Sequence, residues 1–196
     1  MEEEVWKELT TDSEIIGHFA CGLGEHINIY TDRNAVYLHP KKASFLCKKI
    51  ADIFKEEKVE VVIAPALGGI ILSQWVAFHL GDNVLSVYAE KEDDEFVIKR
   101  GYDKYIAGRR VLIVEDVINT GESAQKVIDL VISMKGHVVG LGTIFNCEGL
   151  TSEEVGVPKL FSVVKMKPCS EKKEPEPFFV EGVVNLDKIK SFIKRV

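Results

Sequence analysis

Apolar residues recur at three- and four-residue intervals through residues 41–57, where Ala43, Leu46, Cys47, Ile50, Ala51 and Phe54 share one face and lysines occupy the other. That period is helical, and Pro40 stands where a helix can begin. Residues 59–64 then run almost without a polar break, which predicts a strand buried on both faces. Pro65 to Gly69 interrupts the run, and Ile70–Leu80 predicts an apolar helix ended by Gly81. Val84–Ala89 predicts a further strand. A charge-dense stretch follows at 90–105, with a short strand-like Phe96-Val97-Ile98-Lys99 inside it. Arg110–Val114 predicts a strand, Gly121–Met134 a helix and Val138–Phe145 a strand. Strand and helix alternate, so the expected fold class is α/β, with a mostly parallel sheet flanked by helices. Residues 167–177 predict a polar, proline-spaced loop. Asn185 is an expected N-cap for a last helix carrying Leu186, Ile189, Phe192, Ile193 and Val196 on one face.

Composition narrows the class. At 196 residues and 46% hydrophobic, the chain is long and apolar enough for one domain with a full core. Its 31 acidic against 25 basic residues give a net charge of −6, which argues against a dedicated nucleic-acid binder. Cys21, Cys47, Cys147 and Cys169 lie far apart with no CxxC pair, so neither a zinc ribbon nor a disulfide framework is indicated. The acidic start lacks the pattern of a signal peptide, and no apolar run approaches the ~18–20 residues of a membrane span. The expectation is a cytoplasmic protein with no membrane or nucleic-acid partner.

Two strand-to-helix junctions carry the chemistry, because ligands of open α/β sheets bind beyond the carboxyl ends of the strands. In the first, Val111 to Val114 precede the carboxylates Glu115 and Asp116. Asn119, Thr120, Gly121, Glu122 and Ser123 then enter a helix. Helix N-terminal amides and the helix dipole favour an anion there. Gly121 permits close backbone approach, and the Thr120 and Ser123 hydroxyls add donors. A phosphate suits this loop, and the paired acids suit the vicinal hydroxyls of a sugar that carries it. No Gly-Lys-[Ser/Thr] follows, so this is not a Walker A loop. The second junction, Ala66, Leu67, Gly68 and Gly69 after Pro65, offers backbone amides to a second phosphate-bearing group.

The run from Val111 to Ser123 resembles the 5-phosphoribosyl 1-diphosphate (PRPP) signature of the type I phosphoribosyltransferases. Gly17-His18-Phe19, Tyr30, Pro65 to Ile70, Ala89 to Glu92 and Lys99 to Tyr102 are similar to pieces of the orotate phosphoribosyltransferase subgroup, in its order. The resemblance implies a PRPP-binding core over 41–165 and a small hood formed by N-terminal and C-terminal segments, about 1–40 and 166–196. It implies that Glu115 and Asp116 bind the ribose hydroxyls, Asn119 to Ser123 the 5-phosphate, and Ala66 to Gly69 the diphosphate. It further implies Mg2+ held mainly through PRPP, with no protein-only metal site. Lys91, Lys99 and Arg100 would sit on a loop that closes over the neighbouring subunit's site in a homodimer.

At the base-binding end this chain departs from the family pattern. Glu25 stands where a basic residue is usual, and Asn146-Cys147 replaces an Asp and an Arg. The candidates for base contact are therefore Glu25, His26, Tyr30 and Cys147. The expected activity is Mg2+-dependent transfer of phosphoribose from PRPP to a nucleobase, orotate by default. The alternatives are a neutral purine or pyrimidine acceptor, or a PRPP-binding regulator without catalysis.

Overall fold

The computed structural model describes residues 14–20, 26–31 and 33–165, with side chains from Val36 onward. Glu25, the 167–177 loop and the expected last helix after Asn185 lie outside the described residues. The described residues fall into two compact units. The first carries strands β1 (Glu14–Ala20) and β2 (His26–Thr31), paired antiparallel with Ile15 opposite Tyr30 and Ala20 opposite His26. A short helix, α1 (Arg33–Leu38), comes next in the chain.

The second unit, Tyr37–Lys167, contains the main sheet. Its elements are α2 (Pro40–Phe54), β3 (Val61–Pro65), α3 (Gly68–Leu80), β4 (Leu85–Glu92), β5 (Glu95–Val97), β6 (Arg110–Ile118), α4 (Glu122–Ser133), β7 (His137–Asn146), α5 (Ser152–Val155) and β8 (Leu160–Lys165). Across the sheet the order is β5-β4-β3-β6-β7-β8, parallel except for β5, which pairs antiparallel with β4. The chain steps from β3 through α3 to β4 on one side. It then crosses back to enter β6 on the other side of β3. The carboxyl ends of β3 and β6 thus flank a topological switch point, where an open sheet leaves a crevice for a ligand.

The periodicity of α2 is realised in full, since its buried residues are Ala43, Leu46, Cys47, Ile50, Ala51 and Phe54. Their seat is made by small residues on β7. A Cβ added at Gly140 would strike the Phe54 ring, and one at Gly142 would strike Ile50. On the other face, Val127, Ile128 and Val131 of α4 join Ile63, Ile113 and Leu141 of the sheet in the core.

Three boundary differences bear on the crevice. The β6 strand does not stop at Val114, because Glu115 and Val117 continue the ladder opposite Thr143 and Phe145. Helix α3 starts at Gly68 rather than Ile70, and β4 continues to Glu92 because the charged stretch folds back on it as a hairpin. Among the described residues, no helix is long and apolar enough to cross a membrane.

Candidate active site

Glu115 and Asp116 end the continuous buried run of β6 that begins at Val111, and are 8% and 6% exposed. Carboxylates are seldom so buried unless something holds them. The Asp116 Oδ1 accepts a hydrogen bond from the Val117 N–H at 3.0 Å, which fixes the rotamer. The single Thr143 hydroxyl proton is shared between the Asp116 carbonyl at 3.3 Å on β6 and the Phe145 carbonyl at 3.0 Å on its own strand, beneath the acids.

Beyond them, Asn119 and Thr120 are exposed and Gly121 takes a φ of +80°, the left-handed conformation that glycine adopts without steric cost. This turn leads directly into the first turn of α4. The Thr120 Oγ1 accepts from the Glu122 N–H at 3.4 Å, and Glu122 and Ser123 are exposed. The loop rests on the segment after β7. Asn146, fully buried, donates to the Leu150 carbonyl at 2.8 Å and accepts from the Leu150 N–H at 2.9 Å. Leu150 is thereby held so that its Cδ1 lies 3.2 Å from where a Gly121 Cβ would be. Cys147, half-buried, joins the same support through its N–H, which donates to the Ile118 carbonyl at 2.9 Å.

The loop after β3 meets this arrangement directly. Its Ala66–Leu67 peptide is cis, Leu67 is 84% exposed, and the Ala66 N–H donates to the Ala89 carbonyl at 2.8 Å. Gly68 lies against the Asp116 carboxylate, with no room for a side chain between them. Gly69 packs its backbone on Ala64 and the Val114 carbonyl. The two junctions singled out in the sequence are therefore one site. Buried acids form its floor, with backbone amides along two sides.

The basic candidates lie on the β4–β5 hairpin and are engaged within it. Lys99 pairs with Glu92, the Arg100 Nε lies 3.0 Å from the Glu90 Oε1, and the Lys91 Nζ lies 3.7 Å from the Asp94 Oδ1. Hydrogen bonding to Glu92 holds the Lys99 ammonium above the usual lysine range, and Glu90 does the same for the Arg100 guanidinium. His26 and Tyr30 lie on β2, and their side chains fall outside the described residues.

Sequence reasoning missed two participants, Lys126 and Asn146. Lys126 of α4 reaches both Glu122 and the hairpin carbonyl of Asp94. A lone helical lysine gives no signal of that reach. Asn146 was legible only as a departure from a family pattern, whereas its role here is to build the loop under Gly121.

Comparison with known proteins agrees with this geometry. The family model of the phosphoribosyl transferase domain matches residues 35–173. An orotate phosphoribosyltransferase of Caldanaerobacter subterraneus subsp. tengcongensis is 38% identical over 186 residues, 93% of this chain and 95% of that protein. One from Thermoanaerobacter sp. is 37% identical over the same shares. A crystal structure of Mycobacterium tuberculosis orotate phosphoribosyltransferase shares the fold, with a TM-score of 0.69 at 21% identity over 84% of this chain and 96% of that one. A family match over most of the chain and relatives of nearly equal length leave one assignment: this chain belongs to the type I phosphoribosyltransferase family, and within it resembles the orotate phosphoribosyltransferases.

Proposed function

We propose that this chain transfers the 5-phosphoribosyl group of PRPP to orotate, forming orotidine 5'-phosphate and releasing diphosphate. The observation that carries the reading is the contact of Gly68 with Asp116, which joins an amide-rich loop to a buried acid pair at the switch point. In this reading Asn119 to Ser123 hold the 5-phosphate on the amides of α4. Glu115 and Asp116 accept hydrogen bonds from the ribose hydroxyls, which fixes the anomeric carbon in place. Leu67, Gly68 and Gly69 receive the diphosphate with backbone donors, whereas the Ala66 N–H, expected to join them, is already spent on the Ala89 carbonyl and ties the loop to β4. A ring nitrogen of orotate attacks the anomeric carbon while the bond to diphosphate breaks and its electrons leave with that group. Positive charge grows on the ribose, beside the buried carboxylates, and orientation supplies much of the rate. Lys91, Lys99 and Arg100 exchange their hairpin acids for the leaving oxygens, and closure of the hairpin excludes water.

Mg2+ fits the donor set. Among the described residues no group of three His, Cys, Asp or Glu side chains could hold a metal, while two carboxylates stand at the crevice. Mg2+ is commonly bound by one or two carboxylates with substrate oxygens and water completing its shell. When bound it would neutralise the diphosphate. The reading extends to a cytoplasmic homodimer with a shared hairpin. The apolar Ile71 and Phe78 of α3, 44% and 67% exposed, give a second copy a surface to cover.

The test is diphosphate release from PRPP and Mg2+ with orotate, adenine, hypoxanthine or uracil as acceptor. Release with orotate alone supports the proposal. Release with a neutral base instead reassigns the acceptor, the outcome that Glu25 would favour, and no release with any base overturns the activity.

A further inference from the structure

We propose that Lys126 is a positioning residue that ties the tip of the β4–β5 hairpin to the helix forming the candidate phosphate loop. The inference rests on the PRPP-binding reading and adds to it a residue that touches no substrate.

Lys126 lies one turn beyond Glu122 on α4, the spacing at which helical side chains become neighbours. Its Nζ sits 2.9 Å from the Glu122 Oε1 and donates to the Asp94 carbonyl at 2.9 Å. An ammonium has three donors, so both contacts can be made at once. Asp94 occupies the turn between β4 and β5, next to Asp93 at a φ of +52°. The tie is backed by an apolar anchor, because Phe96 of β5 is buried in the same core cluster as Ala124 and Val127 of α4. The hairpin is thus docked on its own chain's α4 by one buried ring and one cation.

Two consequences bear on ligand binding. Glu122 belongs to the loop that would face a phosphate, where a free carboxylate would repel the ligand, and Lys126 engages that carboxylate. Asp94 also holds Lys91 through its side chain, so the segment that Lys126 grips carries the partner of a base expected to reach the diphosphate. Loss of the Lys126 contact should therefore loosen the hairpin and weaken PRPP binding, without touching the base.

Hydrogen exchange on the full-length, ligand-free protein reads the tie whatever reaction the chain performs. Lys126→Met keeps the stem and removes the charge. It should speed amide exchange at residues 92–97 about fivefold while β3, β6 and β7 keep their rates. Titration calorimetry with PRPP and Mg2+ should show a Kd about fivefold weaker, and the KM for orotate should not move. Lys126→Arg, which can still donate, should stay within about twofold of the parent in each measurement. Unchanged hairpin exchange in Lys126→Met overturns the proposal, and so does faster exchange with an unchanged PRPP Kd. A parent protein that binds PRPP but releases no diphosphate would sink the transferase reading instead, and leave this one to be decided by exchange and Kd.

Discussion

Gly68 and Asp116 come from different strand ends, yet a Cβ on Gly68 would stand only 2.9 Å from the Asp116 Cγ. A side chain on Gly68 would have to displace the Asp116 carboxylate. Gly69, one position on, has a different neighbour: its added Cβ would lie 2.6 Å from the Ala64 Cβ, between α3 and the strand beneath it.

The two glycines should therefore fail differently. Gly68→Ala displaces a carboxylate at the edge of the crevice rather than a core side chain, so the fold should tolerate it while kcat/KM falls about a hundredfold, the scale of a 1 Å misplacement. Gly69→Ala pushes a helix off its strand and should cost about 1–3 kcal/mol of unfolding free energy. Denaturant melts and PRPP-dependent turnover, run on both variants, separate these effects. Equal loss of stability in the two would contradict the assignment of Gly68 to the site.

Asp116→Asn keeps the shape and the acceptor used by the Val117 amide, but removes the charge that would face the ribose. We expect the protein to melt as the parent does and kcat to drop by about tenfold or more, since charge placed where cationic character develops is among the larger contributions to rate. Steady-state assays with saturating PRPP check this. Turnover at the parent's rate would refute the role.

The two junctions of the candidate site could be located in the sequence because each is local. A four-residue apolar run followed by two acids and a Thr-Gly turn can do little but end a strand and start a helix. What the sequence hid is what long-range pairing decides. Glu115 and Asp116 read as the start of a loop by their polarity, yet they belong to β6 because Thr143 and Phe145 of β7 continue the ladder past them. The charged stretch after Ala89 reads as solvated, yet Phe96 within it is buried and its bases pair with its own acids. Lys126 looks like any surface lysine at helical spacing until the hairpin folds over α4.

Cys47, on the buried face of α2, should be chemically silent in the folded protein. Burial pushes its thiol from 9.0 to about 12, because the thiolate cannot be solvated there. A folded pKa above the unfolded one means that the neutral thiol contributes stability in full below pH 9, and that the contribution fades as the pH rises from 9 towards 12. Alkylation at pH 8 followed by peptide mass mapping should leave Cys47 unmodified in native protein and modify it in denaturant. The Cys47→Ala variant should lose stability less steeply above pH 9 than the parent. Labelling of native Cys47 at the rate of a free thiol would contradict its burial.

Asn146 tests whether the loop under Gly121 is a built support. Its buried amide satisfies both the N–H and the carbonyl of Leu150, and Leu150 in turn stands against the turn that would cradle the phosphate. Asn146→Ala removes both hydrogen bonds and leaves two backbone groups to find partners, a cost of roughly 1–3 kcal/mol. The stability loss should come with a weaker Kd for PRPP, because Leu150 no longer fixes the Gly121 turn. Asn146→Asp is the informative companion: it keeps the acceptor for the Leu150 N–H but turns the donor towards the Leu150 carbonyl into a second acceptor. Its PRPP affinity should fall at least as far as that of the alanine variant, with added repulsion between the new carboxylate and the carbonyl. Calorimetry on the two variants decides the matter, since a purely global destabilisation would lower melting temperature in both while PRPP affinity, measured well below the melt, stayed at the parent's value.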